Sequence, residues 1–251
     1  MLVHIPHSSL TISEHDLRDF LPIYSEIRHE LIRLTDWYTD ELFGQAWDPQ
    51  NVLQFQHSRL VVDVERFVSD HEEPCAEVGM GATYTKTTRG NPLRNLTAER
   101  RHELIQDYYV PHHQIFTKKV FKILEKFGRC IIIDGHSYPT NPLPTQKNYN
   151  STPEIGIGTD ALFTSPQLVD LTLNYFQSHG FEVGLNQPFT GAIVPQEIYQ
   201  SRDTRVQSVM IEVRRDLYID EKTAEKNSQF EKIKKLIHSY RQLVSDTYLT
   251  E

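Results

Sequence analysis

Residues 130–137 read Cys130-Ile131-Ile132-Ile133-Asp134-Gly135-His136-Ser137. A short β-branched run without polar alternation is the pattern of a strand covered on both faces. It stops abruptly in Asp-Gly-His-Ser, where Gly135 is expected to turn the backbone and polar side chains follow. A second run of this kind is Val206–Val213, and shorter ones are Leu2–Ile5, Val52–Phe55, Leu60–Val64 and Gly180–Leu185. Helical periodicities lie between them. Asp36–Ala46 repeats Trp37, Leu42 and Phe43, and Thr97–Phe127 is long with an expected bend at Pro111. Ser165–Ser178 opens on a cap followed by proline, and Thr223–Tyr248 carries Phe230, Ile233, Leu236, Ile237, Tyr240 and Leu243 on one stripe. Strands alternating with helices predict an α/β chain: a mixed, mostly parallel sheet with helices on both faces. No composition shift marks a linker, so residues 1–251 read as one domain.

The composition removes several function classes. No run of the 251 residues approaches the roughly 18 apolar residues of a membrane span. A formal net charge of −8 argues against a nucleic-acid or anionic-membrane partner. Met1-Leu2-Val3-His4-Ile5-Pro6-His7 lacks the basic and apolar regions of a secretory signal, and a cytoplasmic location is expected. The 2 cysteines lie far apart, which excludes a disulfide scaffold and a thiolate zinc site, whereas 12 histidines invite metal or proton chemistry.

In α/β sheets, sites gather at the carboxyl ends of strands. Three ends carry suggestive groups. Leu2–Ile5 breaks at Pro6-His7, putting His7 toward the crevice, while His4 inside the strand reads as structural. His136 follows the central strand, with Asp134 or a backbone carbonyl to hold its second nitrogen. Glu212 lies within an apolar strand, where a carboxylate needs a cation, a polarised water or a raised pKa, which makes it a candidate general base. Two histidines and a carboxylate form a common catalytic zinc set. The segment Thr35-Asp36-Trp37 offers Asp36, with Asp40 as its nearest competitor and a helix cap as the bland alternative. Arg59, Arg66 and Arg215 could clamp a carboxylate-bearing small molecule through bidentate contacts, or serve as ordinary ion-pair partners.

With these residues assembled, the chain resembles the N-formylglutamate amidohydrolase family. The matching segments are Pro6-His7-Ser8, Thr35-Asp36-Trp37, Ser58-Arg59 through Asp63 to Arg66, His112-His113, Asp134-Gly135-His136-Ser137, Ile157-Gly158-Thr159-Asp160, Asn186-x-Pro188-Phe189-x-Gly191, and Glu212-Val213 through Arg215 to Tyr218. That family is similar to the zinc-dependent exopeptidases, and the resemblance implies their fold. It also implies zinc, or another divalent metal, on His7, Asp36 and His136, with Glu212 as base. His113 is assigned to hydrogen bonding of substrate or transition state, and Asn186 and Gly191 join the arginines at the substrate. The expected reaction is hydrolysis of a linear amide of an acidic amino acid, N-formyl-L-glutamate giving formate and glutamate. An amidase or carboxypeptidase with the same site, and a non-catalytic ligand-binding protein of this fold, are the alternatives. The chain departs from the family at Glu65 and Arg214, where asparagine is usual.

Overall fold

Strands β1 (Leu2–Ile5), β2 (Val52–Gln54), β3 (Cys130–Tyr138), β4 (Ile155–Gly158), β5 (Val183–Leu185) and β6 (Val206–Arg214) form one sheet in the order β2-β1-β3-β6-β4-β5. The computed structural model describes residues 1–144 and 152–249. Every pairing is parallel except β4 against β6. The helices are α1 (Glu14–Leu17), α2 (Tyr24–Leu34), α3 (Ala98–Leu104), α4 (Val110–Phe127), α5 (Pro166–Ser178), α6 (Gln196–Ser201) and α7 (Phe230–Leu249). This is the expected mixed, mostly parallel α/β architecture.

The strand period of two explains the burial. Val3, Ile5, Ile131, Ile133, Val209, Ile211 and Val213 join Leu168 and Phe176 of α5 and Phe230, Ile233, Ile237 and Tyr240 of α7 on one face. Leu2, Cys130, Ile132 and Val206 pack on the other against Phe116, Val120 and Ile123 of α4. Both faces are covered, so the isoleucine run carries no alternation. Toward the strand ends the α4 face turns polar: His4 lies opposite Asp134, and His136 opposite Glu212.

Several expected elements change. β3 does not turn at Gly135 but runs on to Tyr138. Glycine is needed there for another reason: a Cβ would lie 2.6 Å from the Phe43 ring. Leu60–Val64 is no strand. Leu60 is buried in one hydrophobic cluster and Val61, Val62 and Val64 in another, and Asp63 N–H donates to Ala82 O at 2.8 Å instead of joining a ladder. The Asp36–Ala46 helix shrinks to a π turn over Asp40–Gly44, because Tyr38 (φ 59°) and Ala46 (φ 57°) take left-handed conformations on either side. Thr97 does cap its helix, but the stretch passes through a π turn at Ile105–Tyr109 just before Pro111. Helix α7 starts at Phe230 rather than Thr223, after a turn in which Ala224 has φ 62°.

Candidate active site

β1, β3 and β6 are neighbours, so their carboxyl ends bring His7, His136 and Glu212 to one place, 3%, 4% and 6% exposed. They line a cavity of about 1380 Å³ together with Asp36, Arg59, Glu65, Arg66, His113, Gly191 and Arg215. Each of the two histidines has one nitrogen on a carboxylate. His7 Nε2–H donates to Asp63 Oδ1 at 2.8 Å, and His136 Nδ1–H donates to Asp36 Oδ2 at 3.1 Å. Their other nitrogens, His7 Nδ1 and His136 Nε2, are buried without a hydrogen-bond partner among the described residues.

Those two nitrogens both face Glu65, whose Oε2 is 3.8 Å from His7 Nδ1 and 3.1 Å from His136 Nε2, while Asp134 Oδ1 also lies 3.2 Å from His136 Nε2. His7, Glu65 and His136 thus offer three ligand atoms within 4.8 Å of one another. A ligating histidine typically donates its second N–H to a carboxylate, and Asp63 and Asp36 occupy that outer place here. Two nitrogens and one carboxylate oxygen, with no proton donor aimed at them, suit a divalent cation. Asp36, the expected ligand, has its Oδ2 3.1 Å from His136 Nδ1 and 3.6 Å from His7 Nδ1. Its other oxygen accepts from Arg215 Nη2 at 3.0 Å. Asp40 is in the π turn and does not line this cavity.

Glu212 Oε2 is likewise buried and unpaired, and burial pushes its carboxyl pKa up to about 8. Burial works against charge on His136, yet the Glu65, Asp134 and Asp36 carboxylates overcome it and hold its pKa well above the ordinary value. Behind the site, His4 Nδ1–H donates to Asp134 Oδ1 at 2.8 Å, and its Nε2 lies 3.0 Å from His112 Nε2. His112 is held neutral, its pKa lowered to about 2 chiefly by burial.

The other expected residues divide by what their donors already do. Arg59 is committed to Asp63 Oδ2 through Nε and Nη2 at 3.1 and 2.7 Å, and Arg215 to Ser137, Arg33 O and Asp36. Arg66 differs: its Nε is unpartnered, and its nearest carboxylate oxygens, on Asp63 and Glu73, are 3.7 and 3.9 Å away. His113 Nε2–H donates to Val64 O at 2.8 Å and burial lowers its pKa, so the neutral ring presents Nδ1 as an acceptor. Asn186 is exposed and outside the cavity. Its Oδ1 accepts from Thr159 N–H and from the hydroxyls of Thr159 and Thr190, shaping a loop. Gly191 does line the cavity, with φ 99°.

A sequence model described as N-formylglutamate amidohydrolase matches residues 1–219. The chain is 24% identical over 229 residues to a Pseudomonas putida N-formylglutamate deformylase, a match spanning 88% of this chain and 82% of that protein. Two solved structures share the fold. An N-formylglutamate amidohydrolase from Ralstonia eutropha superposes with a TM-score of 0.83 at 22% identity, covering 98% of this chain and 93% of the other. A gene product from Agrobacterium tumefaciens does so with a TM-score of 0.62 at 19% identity, covering 97% and 91%. With the family pattern running from the first residue of β1 past the end of β6, this chain belongs to the N-formylglutamate amidohydrolase family.

Proposed function

We propose that this chain is a metal-dependent amidohydrolase that cleaves N-formyl-L-glutamate to formate and L-glutamate. The observation carrying the reading is the convergence of two orphaned histidine nitrogens and the Glu65 carboxylate beside an unpaired Glu212, in the cavity that Arg66 also lines. His7 Nδ1, His136 Nε2 and Glu65 Oε2 would hold the cation, with Asp63 and Asp36 fixing the two rings. Zinc there supplies Lewis acidity, which polarises an amide carbonyl and makes water a nucleophile near neutral pH. Glu212, ionised once the charge of a bound cation lowers its raised pKa, would take the proton from the attacking water and deliver it to the departing nitrogen. Arg66 meets the substrate carboxylate with its uncommitted guanidinium edge, placing the amide against Glu212. Arg59 and Arg215 hold Asp63 and Asp36 in place.

The test is metal analysis of the purified protein alongside glutamate release. About one equivalent of divalent metal is expected, with turnover lost on chelation and restored on readdition. Metal-free protein that still turns over rejects the mechanism. Glu212→Gln should lower kcat by about 10²–10⁴-fold with metal retained. Glu65→Gln should empty the site, whereas Asp36→Asn should weaken metal affinity by about 10–100-fold. The reverse ranking would make Asp36 the ligand.

A further inference from the structure

The cavity is larger than one formylated amino acid needs. Its volume of about 1380 Å³ exceeds the roughly 300–1,000 Å³ of pockets that enclose drug-sized ligands. Much of its wall is apolar. Val68, Tyr109 and Val110 are the half-buried margin of one hydrophobic cluster, and Ile193 and Val194 that of another; all five line the cavity. Thr117 Oγ1 donates to Glu197 Oε2 at 2.9 Å and ties α4 to α6 in the same wall. Two large aromatic side chains on the cavity, Phe67 and Tyr199, remain 61% and 60% exposed. A formyl group is a single carbon and covers none of this surface, and a glutamate side chain is too polar to gain by touching it.

Building on the amidohydrolase reading, we infer that the same site hydrolyses acidic amino acids N-acylated with a hydrocarbon chain or ring of several carbons, in preference to the formyl compound. The apolar walls receive the acyl group, while the amino-acid carboxylate stays with Arg66. The reaction is balanced without a co-reactant. Water adds to the acyl carbon, the carbon–nitrogen bond breaks, one proton of the water goes to the leaving nitrogen, and a carboxylic acid and the free amino acid result.

The experiment compares the N-formyl, N-acetyl, N-butanoyl, N-hexanoyl and N-benzoyl derivatives of L-glutamate on the metal-loaded protein, following glutamate release. The inference expects kcat/KM to rise by about fourfold per buried methylene until the walls are filled. It expects N-hexanoyl to exceed N-formyl by at least tenfold. A flat or falling series overturns it while leaving the formylglutamate reading intact. If no derivative is cleaved, the amidohydrolase reading fails, and titration of Glu212→Gln protein with the same compounds still decides the inference. N-hexanoyl-L-glutamate binding at least tenfold more tightly than N-formyl-L-glutamate supports it; equal affinity overturns it. Val194→Asn should lower the hexanoyl-to-formyl ratio, as should Tyr199→Ala, whose exposed position spares the fold. A ratio unchanged in both rejects the location.

Discussion

Arg59, Arg66 and Arg215, three of the arginines that line the cavity, show how partner inventory separates side chains that look alike in sequence. Arg59 and Arg215 each spend several donors on Asp63 or Asp36, whereas Arg66 keeps a buried Nε without a partner. A charged hydrogen bond contributes about 1.5–3 kcal/mol. Arg66→Met should therefore raise KM for N-formyl-L-glutamate by about 10–100-fold, with kcat changed far less. Initial-rate kinetics would check this, and an unchanged KM would place the carboxylate elsewhere. His7, His136 and Glu212 were legible because each stands at or near the end of an apolar strand. Glu65 was not, since in Asp63-Val64-Glu65-Arg66 it reads as one more acidic residue and belongs to no strand. Its departure from the usual asparagine was the available signal. Asp36 was legible as a site residue, but its contact with His136 Nδ1 was not, because sequence cannot say which nitrogen of His136 it meets.

At the scale of elements, strands β3 and β6 were legible because their apolar runs are long and unbroken. Strand β4, Ile155-Gly156-Ile157-Gly158, was hidden by its glycines, which serve close approach. A Cβ at Gly156 would lie 2.7 Å from Gln187 O, and one at Gly158 2.5 Å from Gly191 O. Helix α2 was missed because Ile23, at its start, supplies no side-chain cap. Leu60–Val64 misled in the opposite sense, since burial alone produces an apolar run without any ladder. Ahead of Pro111, which has no N–H to donate, the helical stretch widens into the π turn. In this region Tyr109 stacks on His113, with ring centroids 4.2 Å apart. Gly135 tests the packing between β3 and the Asp40–Gly44 turn. Gly135→Ala drives a methyl group against the Phe43 ring and should cost about 1–3 kcal/mol. For a chain of this size that lowers Tm by about 2–4 °C per kcal/mol. A Tm equal to wild type would show that Phe43 moves aside freely.

For the molecule as a whole, charge favours a cation in the site. The cavity is lined by the carboxyl groups of Asp36, Glu65, Glu72, Asp134, Asp160, Glu197 and Glu212 and by the guanidinium groups of Arg59, Arg66, Arg101 and Arg215, an excess of three carboxyl groups. All lie in a chain of net charge −8, whose overall field repels an acidic substrate. On the proposed reading, a divalent cation would offset part of that negative charge and would draw an acidic substrate into the site. Without the cation, the same carboxylates are partly balanced by protonated His7 and His136, whose pKa values the structure holds above the ordinary range. Cation binding displaces those protons, so affinity for the metal should fall as pH drops through the raised pKa values of the two histidines, above the ordinary histidine range. The folded chain assembles His7 from just past the end of β1, Glu65 from the loop after β2 and His136 from β3, positions the unfolded chain scatters over 130 residues. Binding is therefore coupled to folding, and stability should rise with the logarithm of free metal concentration. At 100 times Kd the gain is about 2.7 kcal/mol, which raises Tm by roughly 5–10 °C at 2–4 °C per kcal/mol. Thermal melts across a zinc titration should show this rise in wild type, and Glu65→Gln should flatten it. A wild-type Tm insensitive to chelator would mean that the His7–Glu65–His136 cluster is held by protons alone.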